Sequence, residues 1–552
     1  MRPLTLGLIA LWSCRPAAGA DATALQTLPK LTADQGRALV RLAREGMNRY
    51  LTHRGGPEAM RLPSELRPLR GWRNAAAVTL RDGGRVVAVQ VRTGEELCTN
   101  LLAAALNAMR SPRLPDRVDR KVLDALTVEV EVLSVPRTVP RRSLAAAIAP
   151  GLDGLLYGRG PLPGISASRP AGPREPHAGA MAWVLPSAGY VLGLNAEQMR
   201  RGAMLRYRLT SRNASLPPYL AVFTTRHYVG SPGGPTVELF RGKDMTVRRQ
   251  IDEGALRAAA GKVGSYLVRH QAKDGRYCRD DRPASVPDHL YATYAMARLA
   301  RRYPKQAFAR SAALAAGHAS GLVKRSGNRA LVEAAGRDET LAATALLALA
   351  LGQAAPDDRT LRLRAELHRG LLAELSRDAA SSAPTSRPAS RSAGPYVAWL
   401  ALAASKDHAD ELRALRKAFT RASPGDFLAH LWAFRAGLVK DPLPAGAAGP
   451  EARSRGISQR AAGALPDETG GFAVGGDPPS ALHTGLAALC LAGRGAAARE
   501  ARRFCYRMMV QPREAYFAED PEACIGGVRA TPAGAAVSVS ACAAAIEAFL
   551  AE

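Results

Sequence analysis

Two carboxylate pairs open the search for chemistry in this chain: Asp280–Asp281 in a charged turn, and Asp338–Glu339 ahead of an apolar run. Paired carboxylates can divide the work of general acid and general base when their separation suits. Asp288, His289, His430, His483 and Arg529 add side chains of the ligand-binding kind. Asp288 and Asp338 also stand where helix N-caps belong, and capping is a sufficient role for an Asp. His483, on an apolar run, reads as a hydrogen-bonded core histidine. Cys278, Asp280 and His289 are of metal-ligand type, but nothing supplies a fourth ligand, so neither metal nor cofactor is expected. The chain has no Gly-x-Ser-x-Gly elbow, phosphate loop or His-Glu-x-x-His helix.

The elements that must position these residues lie between about Asp252 and Glu552. Helical patterns start near Gly254, Asp288, Lys305, Asp338, Asp358, Ser392, Asp407, Pro424, Pro450, Ser480, Arg494 and Gly534. Alternate members differ: one set is uniformly apolar, as in Leu341 to Ala350, and the other carries charge on one face, as in Leu361 to Leu375. Uniformly apolar helices are buried and amphipathic ones lie outside. Six such hairpins suit a closed (α/α)6 ring, with an open solenoid as the alternative. In the ring the inner helices run parallel and their positive N-termini converge on one mouth. Asp280, Asp281, Asp288, His289, Asp338, Glu339, Asp426, His430, His483 and Arg529 are expected at that mouth. The polar stretch 378–392 is expected to be a loop.

Three turns carry a resemblance. Gln271-Ala272-Lys273-Asp274-Gly275-Arg276-Tyr277 follows an outer helix, Asp467-Glu468-Thr469-Gly470-Gly471-Phe472 looks like a second such turn, and Asp520 to Arg529 bears a Gly-Gly pair. These resemble the α/α-toroid superfamily, which includes terpenoid cyclases, prenyltransferases and six-hairpin glycosidases. Gly275 and Gly527 are expected to take backbone angles that other residues resist. Asp280–Asp281 does not reproduce the Asp-x-Asp-Asp motif of class II cyclases.

The N-terminal part, about 31–230, mixes helices and strands. Thr32 to Gln35 is a capping box opening a helix with Leu39, Leu42, Ala43, Met47 and Tyr50 on one face. Ala76 to Leu80 and Arg85 to Val89 flank Asp82-Gly83-Gly84 as a hairpin. A helix spans about Gly94 to Met109. Leu126 to Leu133 alternates as a half-buried strand, further strands fall at Gly154 to Tyr157 and Trp183 to Pro186, and a helix lies near Asn195 to Met204. Leu39 to Glu45, Ser111-Pro112-Arg113-Leu114-Pro115, Leu126 to Ser134 and Val184-Leu185-Pro186 resemble, in family order, the AMME-syndrome candidate-region (AMMECR-like) family. That resemblance implies an α+β fold. The family's Leu-Arg-Gly-Cys-Ile-Gly signature is absent, its place taken by Arg85-Val86-Val87-Ala88-Val89-Gln90. Cys98, on a predicted helix, reads as a small buried residue. The fold expected overall is therefore multidomain: an α+β domain followed by an all-α (α/α)6 toroid.

A chain of 552 residues has room for two or three domains. The net charge of +28 is spread along the length without stacking aromatics, so no specific nucleic-acid partner is expected. Arg2, the apolar run Leu4 to Trp12 and Ala18-Gly19-Ala20 read as an export signal over 1–20, and Cys14 offers a lipoprotein anchor as the alternative. No later run is long and charge-free enough for a transmembrane helix. Of the later cysteines, the last four are close enough in sequence for one or two bridges. The segment 161–178, rich in Pro, Gly, Ser and Arg, reads as an exposed insertion. The expected activity is binding or scaffolding, with the toroid mouth taking a glycan, peptide or lipid-like ligand. The alternative is a glycosidase-, lyase- or isoprenoid-cyclase-like enzyme with its acid among Asp280, Asp281, Asp338 and Glu339. A third reading has the basic chain held at an anionic envelope by charge.

Overall fold

The computed structural model describes residues 28, 30–52, 60–115, 117–149, 151–159, 181–210, 218–245, 251–279, 282–353, 357–381, 392–405, 407–421, 426–443, 457–459, 467–468, 470–474 and 478–551. The expected leader, the insertion at 161–178, the Asp280–Asp281 pair and the helix start near Pro450 lie outside the described residues. The chain divides into two compact units. Unit 1 holds the N-terminal stretch to Arg249 and also takes Gln511–Glu522 and Ala533–Ala536. Unit 2 holds Gln250–Val510, Ala523–Pro532 and Val537–Glu552.

Unit 1 is built on an antiparallel sheet. Its elements in order are α1 (Ala33–Leu51), β1 (Ala76–Asp82), β2 (Arg85–Arg92), α2 (Leu97–Ala108), α3 (Arg120–Ala125), β3 (Thr127–Leu133), β4 (Arg137–Thr138), α4 (Leu144–Ala147), β5 (Asp153–Arg159), β6 (Ala182–Val184), α5 (Pro186–Leu192), α6 (Ala196–Thr210), β7 (Pro218–Gly230), β8 (Thr236–Phe240) and β9 (Lys243–Asp244). The strand order is β2-β1-β3-β7-β5-β6, with β8 on β7 and β9 on β8. The capping box forms as its residues require: Thr32 accepts from the Gln35 N–H, and the Gln35 side chain accepts from the Thr32 N–H. The apolar stripe of α1 and the inner face of α2 cover Val78, Leu80, Val128, Val130 and Val132. The thirteen-residue β7 pairs β5 with its first half and β3 with its second.

Two expectations change here. The alternating strand is not half-buried: every residue of β3, Glu129 and Glu131 included, is buried. Pro186 does not end a strand but opens α5, where its missing N–H costs no helical bond.

Unit 2 is mainly helical: α7 (Glu253–Arg269), α8 (Val286–Arg302), α9 (Gln306–Ser320), α10 (Arg337–Leu351), α11 (Asp358–Ser381), α12 (Ala393–Ser405), α13 (Ala409–Arg421), α14 (Phe427–Arg435), α15 (Ala481–Cys490), α16 (Ala496–Met508) and α18 (Val539–Leu550), with the four-residue α17 (Pro521–Cys524) before the last. Helix α8 packs on α10, α10 on α12, α12 on α14, α14 on α15, α15 on α18, and α18 on α8. Helices α7, α9, α11, α13 and α16 pack against members of that set. The division follows composition: α10 is buried throughout from Leu341 except at the half-buried Ala342, whereas α16 exposes Ala496 and Arg499 and buries Ala498, Ala501 and Phe504. The loop expected at 378–392 does not include its first residues, since Asp378–Ser381 finish α11 and Asp378 forms an ion pair with Arg337 at 2.5 Å; residues 382–391 lie outside the described residues. Gly275 has the expected positive φ of 95°. In the Gly-Gly turn it is Gly526, at φ 89°, that takes the left-handed backbone; Gly527 is instead required by the Tyr266 ring, 2.8 Å from where its Cβ would stand.

Candidate functional site

A buried polar cluster bordering a cavity lies on the sheet of unit 1, on the face opposite α1 and α2. Strand alternation puts Glu129 and Glu131 together on that face. The register sets Glu131 opposite His227 of β7, and Thr79, two residues before Arg81 on β1, opposite Glu129. Arg81 Nε donates to Glu129 Oε1, and His227 Nε2 lies 2.9 Å from Glu129 Oε2. Glu131 accepts from Ser187 Oγ at 2.5 Å and from Thr225 Oγ1 at 2.8 Å. Ser187 comes from α5. Tyr516, from the Gln511–Glu522 segment, stands edge-on to His227 at 5.8 Å, with Arg81 over its ring at 5.5 Å. Its hydroxyl has no hydrogen-bond partner among the described residues. The hairpin turn admits that segment because Gly84 is glycine, as a Cβ there would fall 2.1 Å from the Ala518 carbonyl oxygen.

Burial and charge pull these groups apart. Burial would raise Glu129, but Arg81 and His227 outweigh it and hold this carboxyl below its ordinary range. For Glu131 burial wins over the His227 charge and the two hydroxyls, and its carboxyl sits above the usual range. His227 is disfavoured as a cation by burial, yet its bond to Glu129 and the two carboxylates raise it overall. Two carboxyls of opposite tendency beside an imidazole are the usual raw material of acid–base work. A cavity of about 20 Å³, room for a water or a single polar group, is lined by Glu131, Ser187, Thr225, His227 and Arg241, with the backbone of Gly242.

The residues singled out from sequence occupy other places. Asp338 and Glu339 are exposed, side by side in the first turn of α10. The cap there is Gly336, and the cap of α8 is Ser285, whose Oγ accepts from the Asp288 N–H; neither Asp288 nor Asp338 is the cap expected of it. Asp426 does cap α14, accepting from Ala429 N–H at 2.7 Å. His430 Nε2 is bonded to the Asp441 carbonyl, at 3.0 Å. His483 meets Phe427 edge-on at 5.7 Å, and burial lowers its pKa. Arg529 is wholly buried, and its backbone N–H donates to the Met508 carbonyl. The six described cysteines are all free thiols, with none of the bridges that sequence proximity allowed.

His289 has a structural counterpart in other hairpins. Its Nδ1 accepts from the Tyr277 N–H, and its Nε2 is bonded to the Ala315 carbonyl, both at 3.3 Å. Thr344 Oγ1 accepts from Val332 N–H, and Thr484 Oγ1 from Phe472 N–H, at the same separation of twelve residues. Cys542 Sγ accepts from Val528 N–H, fourteen residues back. In each case a side chain near the start of an apolar helix ties down the turn before it. The sequence reading missed Arg81, Glu129, Glu131, Ser187, Thr225, His227 and Tyr516. The one available signal was the Glu-x-Glu alternation inside a valine strand.

No family model matches the chain. The chain spans 38% of its own length and 99% of the uncharacterized protein PH0010 from Pyrococcus horikoshii in a structural match at 20% identity, with a TM-score of 0.31. Over 143 residues it is 30% identical to Protein Mbar_A1807 of Methanosarcina barkeri, covering 24% of this chain and 69% of that protein. By that similarity the chain belongs to the family of Protein Mbar_A1807.

Proposed function

We propose that this is a ligand-binding protein whose site is the polar cavity of unit 1. In this reading unit 1 is an AMMECR-like α+β domain and unit 2 an (α/α)6 toroid serving as scaffold. The return of α18 onto α8 supports the ring. The carrying observation for the site is Glu131: a fully buried carboxyl, raised by its surroundings, held by two hydroxyls and exposed to a cavity beside His227. Burying such a cluster is costly unless every member is paired, and structural needs alone are met more cheaply by apolar packing. A carboxyl, an imidazole and two hydroxyls around about 20 Å³ suit one inserted hydroxyl, such as that of a sugar at the end of a glycan whose remainder stays outside the cavity. Export through the 1–20 leader, or anchoring through Cys14, would place the protein where glycans are met.

A toroid-mouth enzyme has less behind it. Asp338 and Glu339 are neighbours in one exposed turn, and the rings of His289 and His430 have structural partners in place. The test is a thermal-shift titration of the full chain with glucose, galactose and N-acetylglucosamine, repeated on Glu131→Gln. Saturable stabilisation that weakens about tenfold or more in the variant is expected, since an amide replaces the carboxyl that meets the ligand. Stabilisation by none of the three, or equal stabilisation of both proteins, overturns the reading.

A further inference from the structure

We propose that the C-terminal turns of α8, α14 and α18 form a second binding site, one that takes an oxyanion: a carboxylate or phosphate group. Glu547 of α18 is wholly buried and is shared by two arginines. Arg298 of α8 reaches its Oε1 at 2.5 Å, and Arg435 of α14 reaches its Oε2 at 3.1 Å. Arg435 also lies over the Trp432 ring at 4.7 Å, and Arg298 over Tyr294 at 6.0 Å. Tyr291 stands edge-on to Trp432 at 5.8 Å. The aromatic walls fix both guanidinium groups in place.

Two features point to a ligand. First, the cluster carries two cations against one carboxylate, an excess positive charge in a site where solvent screens little. The carbonyl ends of the helices offset part of that charge. Second, the Tyr291 hydroxyl is a buried polar atom without a hydrogen-bond partner among the described residues, as is Nη1 of Arg435, whose guanidinium otherwise bonds Glu547 and Tyr294. Tyr291 is 4% exposed, so its hydroxyl is cut off from bulk water. Leaving such groups unmet is costly, and an anionic oxygen would answer both the spare donors and the spare charge. The Arg298 side chain, 27% exposed, marks where a ligand would enter. This site shares no residue with the Glu131 cavity and does not depend on that reading.

The experiment is calorimetric titration of the full chain with sodium phosphate and, separately, sodium acetate, at constant ionic strength. Two isosteric variants read the site in opposite directions. Tyr291→Phe removes one donor and is expected to weaken binding about tenfold. Glu547→Gln removes the competing carboxylate and is expected to tighten it. Binding of phosphate alone, acetate alone or both supports the site and tells which oxyanion shape it prefers. Absence of saturable binding to either, or binding that Tyr291→Phe leaves unchanged, overturns it; the Tyr291 variant keeps that test open even where Glu547→Gln fails to fold.

Discussion

His289→Thr is the substitution that most directly separates a ligand-binding histidine from a structural one. The imidazole is 3% exposed and bonded through both nitrogens. Its Nδ1 accepts a backbone N–H, so the ring must be neutral to do this, with its proton on Nε2 facing the Ala315 carbonyl. Burial pulls its pKa from the ordinary 6.5 down to about 4. The folded state thus binds fewer protons than the unfolded chain between those values. The stabilisation from His289 is therefore complete above about pH 6.5 and is lost as pH falls toward 4. A shift of that size amounts to about 3 kcal/mol, of which roughly 2.5 would be gone by pH 4.5. Threonine supplies the same acceptor in the hairpins of Thr344 and Thr484. It lacks the ring and the bond to Ala315, so at pH 7.5 the variant should be less stable by about 1–3 kcal/mol. At pH 4.5 that deficit should vanish or reverse, because threonine does not titrate. Urea unfolding of wild type and variant at both pH values measures the difference, and titrating groups remote from His289 cancel in the comparison. A deficit that is the same at both pH values would refute the reasoning, as would a His289→Leu variant as stable as His289→Thr.

Gly275→Ala should destabilise by more than about 2 kcal/mol in urea, since it combines a left-handed φ of 95° with a Cβ placed 2.3 Å from the Leu314 carbonyl oxygen. Native thiol labelling at pH 8 should reach Cys278 and Cys524 first, leaving Cys98, Cys490, Cys505 and Cys542 slow until the chain is unfolded. Burial covers all four and pushes the thiols of Cys490, Cys505 and Cys542 up to about 12.

Local order was readable wherever one stretch of chain decides it. Thr32 and Gln35 stand three apart, and their reciprocal bonds need nothing else. The apolar run from Leu341 to Ala350 leaves no polar face, so burial on all sides follows from composition. Gly275 was legible as a turn glycine, but Gly526 and Gly527 could not be told apart. Both are glycine for different reasons: one for its backbone angle, the other for the approach of Tyr266, which lies far back in the chain. The caps went astray in a similar way. Asp has a strong preference for that position, but Ser285 competes three residues earlier, and Gly336 leaves its helix without a side-chain cap.

The polar cluster of unit 1 was hidden for a deeper reason. A Val-Glu-Val-Glu-Val strand says that the glutamates share a face and that the valines share the other; it does not say whether the glutamate face is wet. The bland assumption is that charge faces water. What overturns it is carried by residues remote in sequence: Arg81 from the hairpin, His227 about a hundred residues on, and Tyr516 from a segment beyond most of the helices. Each is ordinary in its own neighbourhood. The pairing register that sets His227 against Glu131 exists only once β7 has joined β3. A search confined to motif spacing therefore ends at the helix starts, where acids are common and caps explain them. The chemistry-bearing residues here are ones whose costs make sense only after the sheet has closed over them.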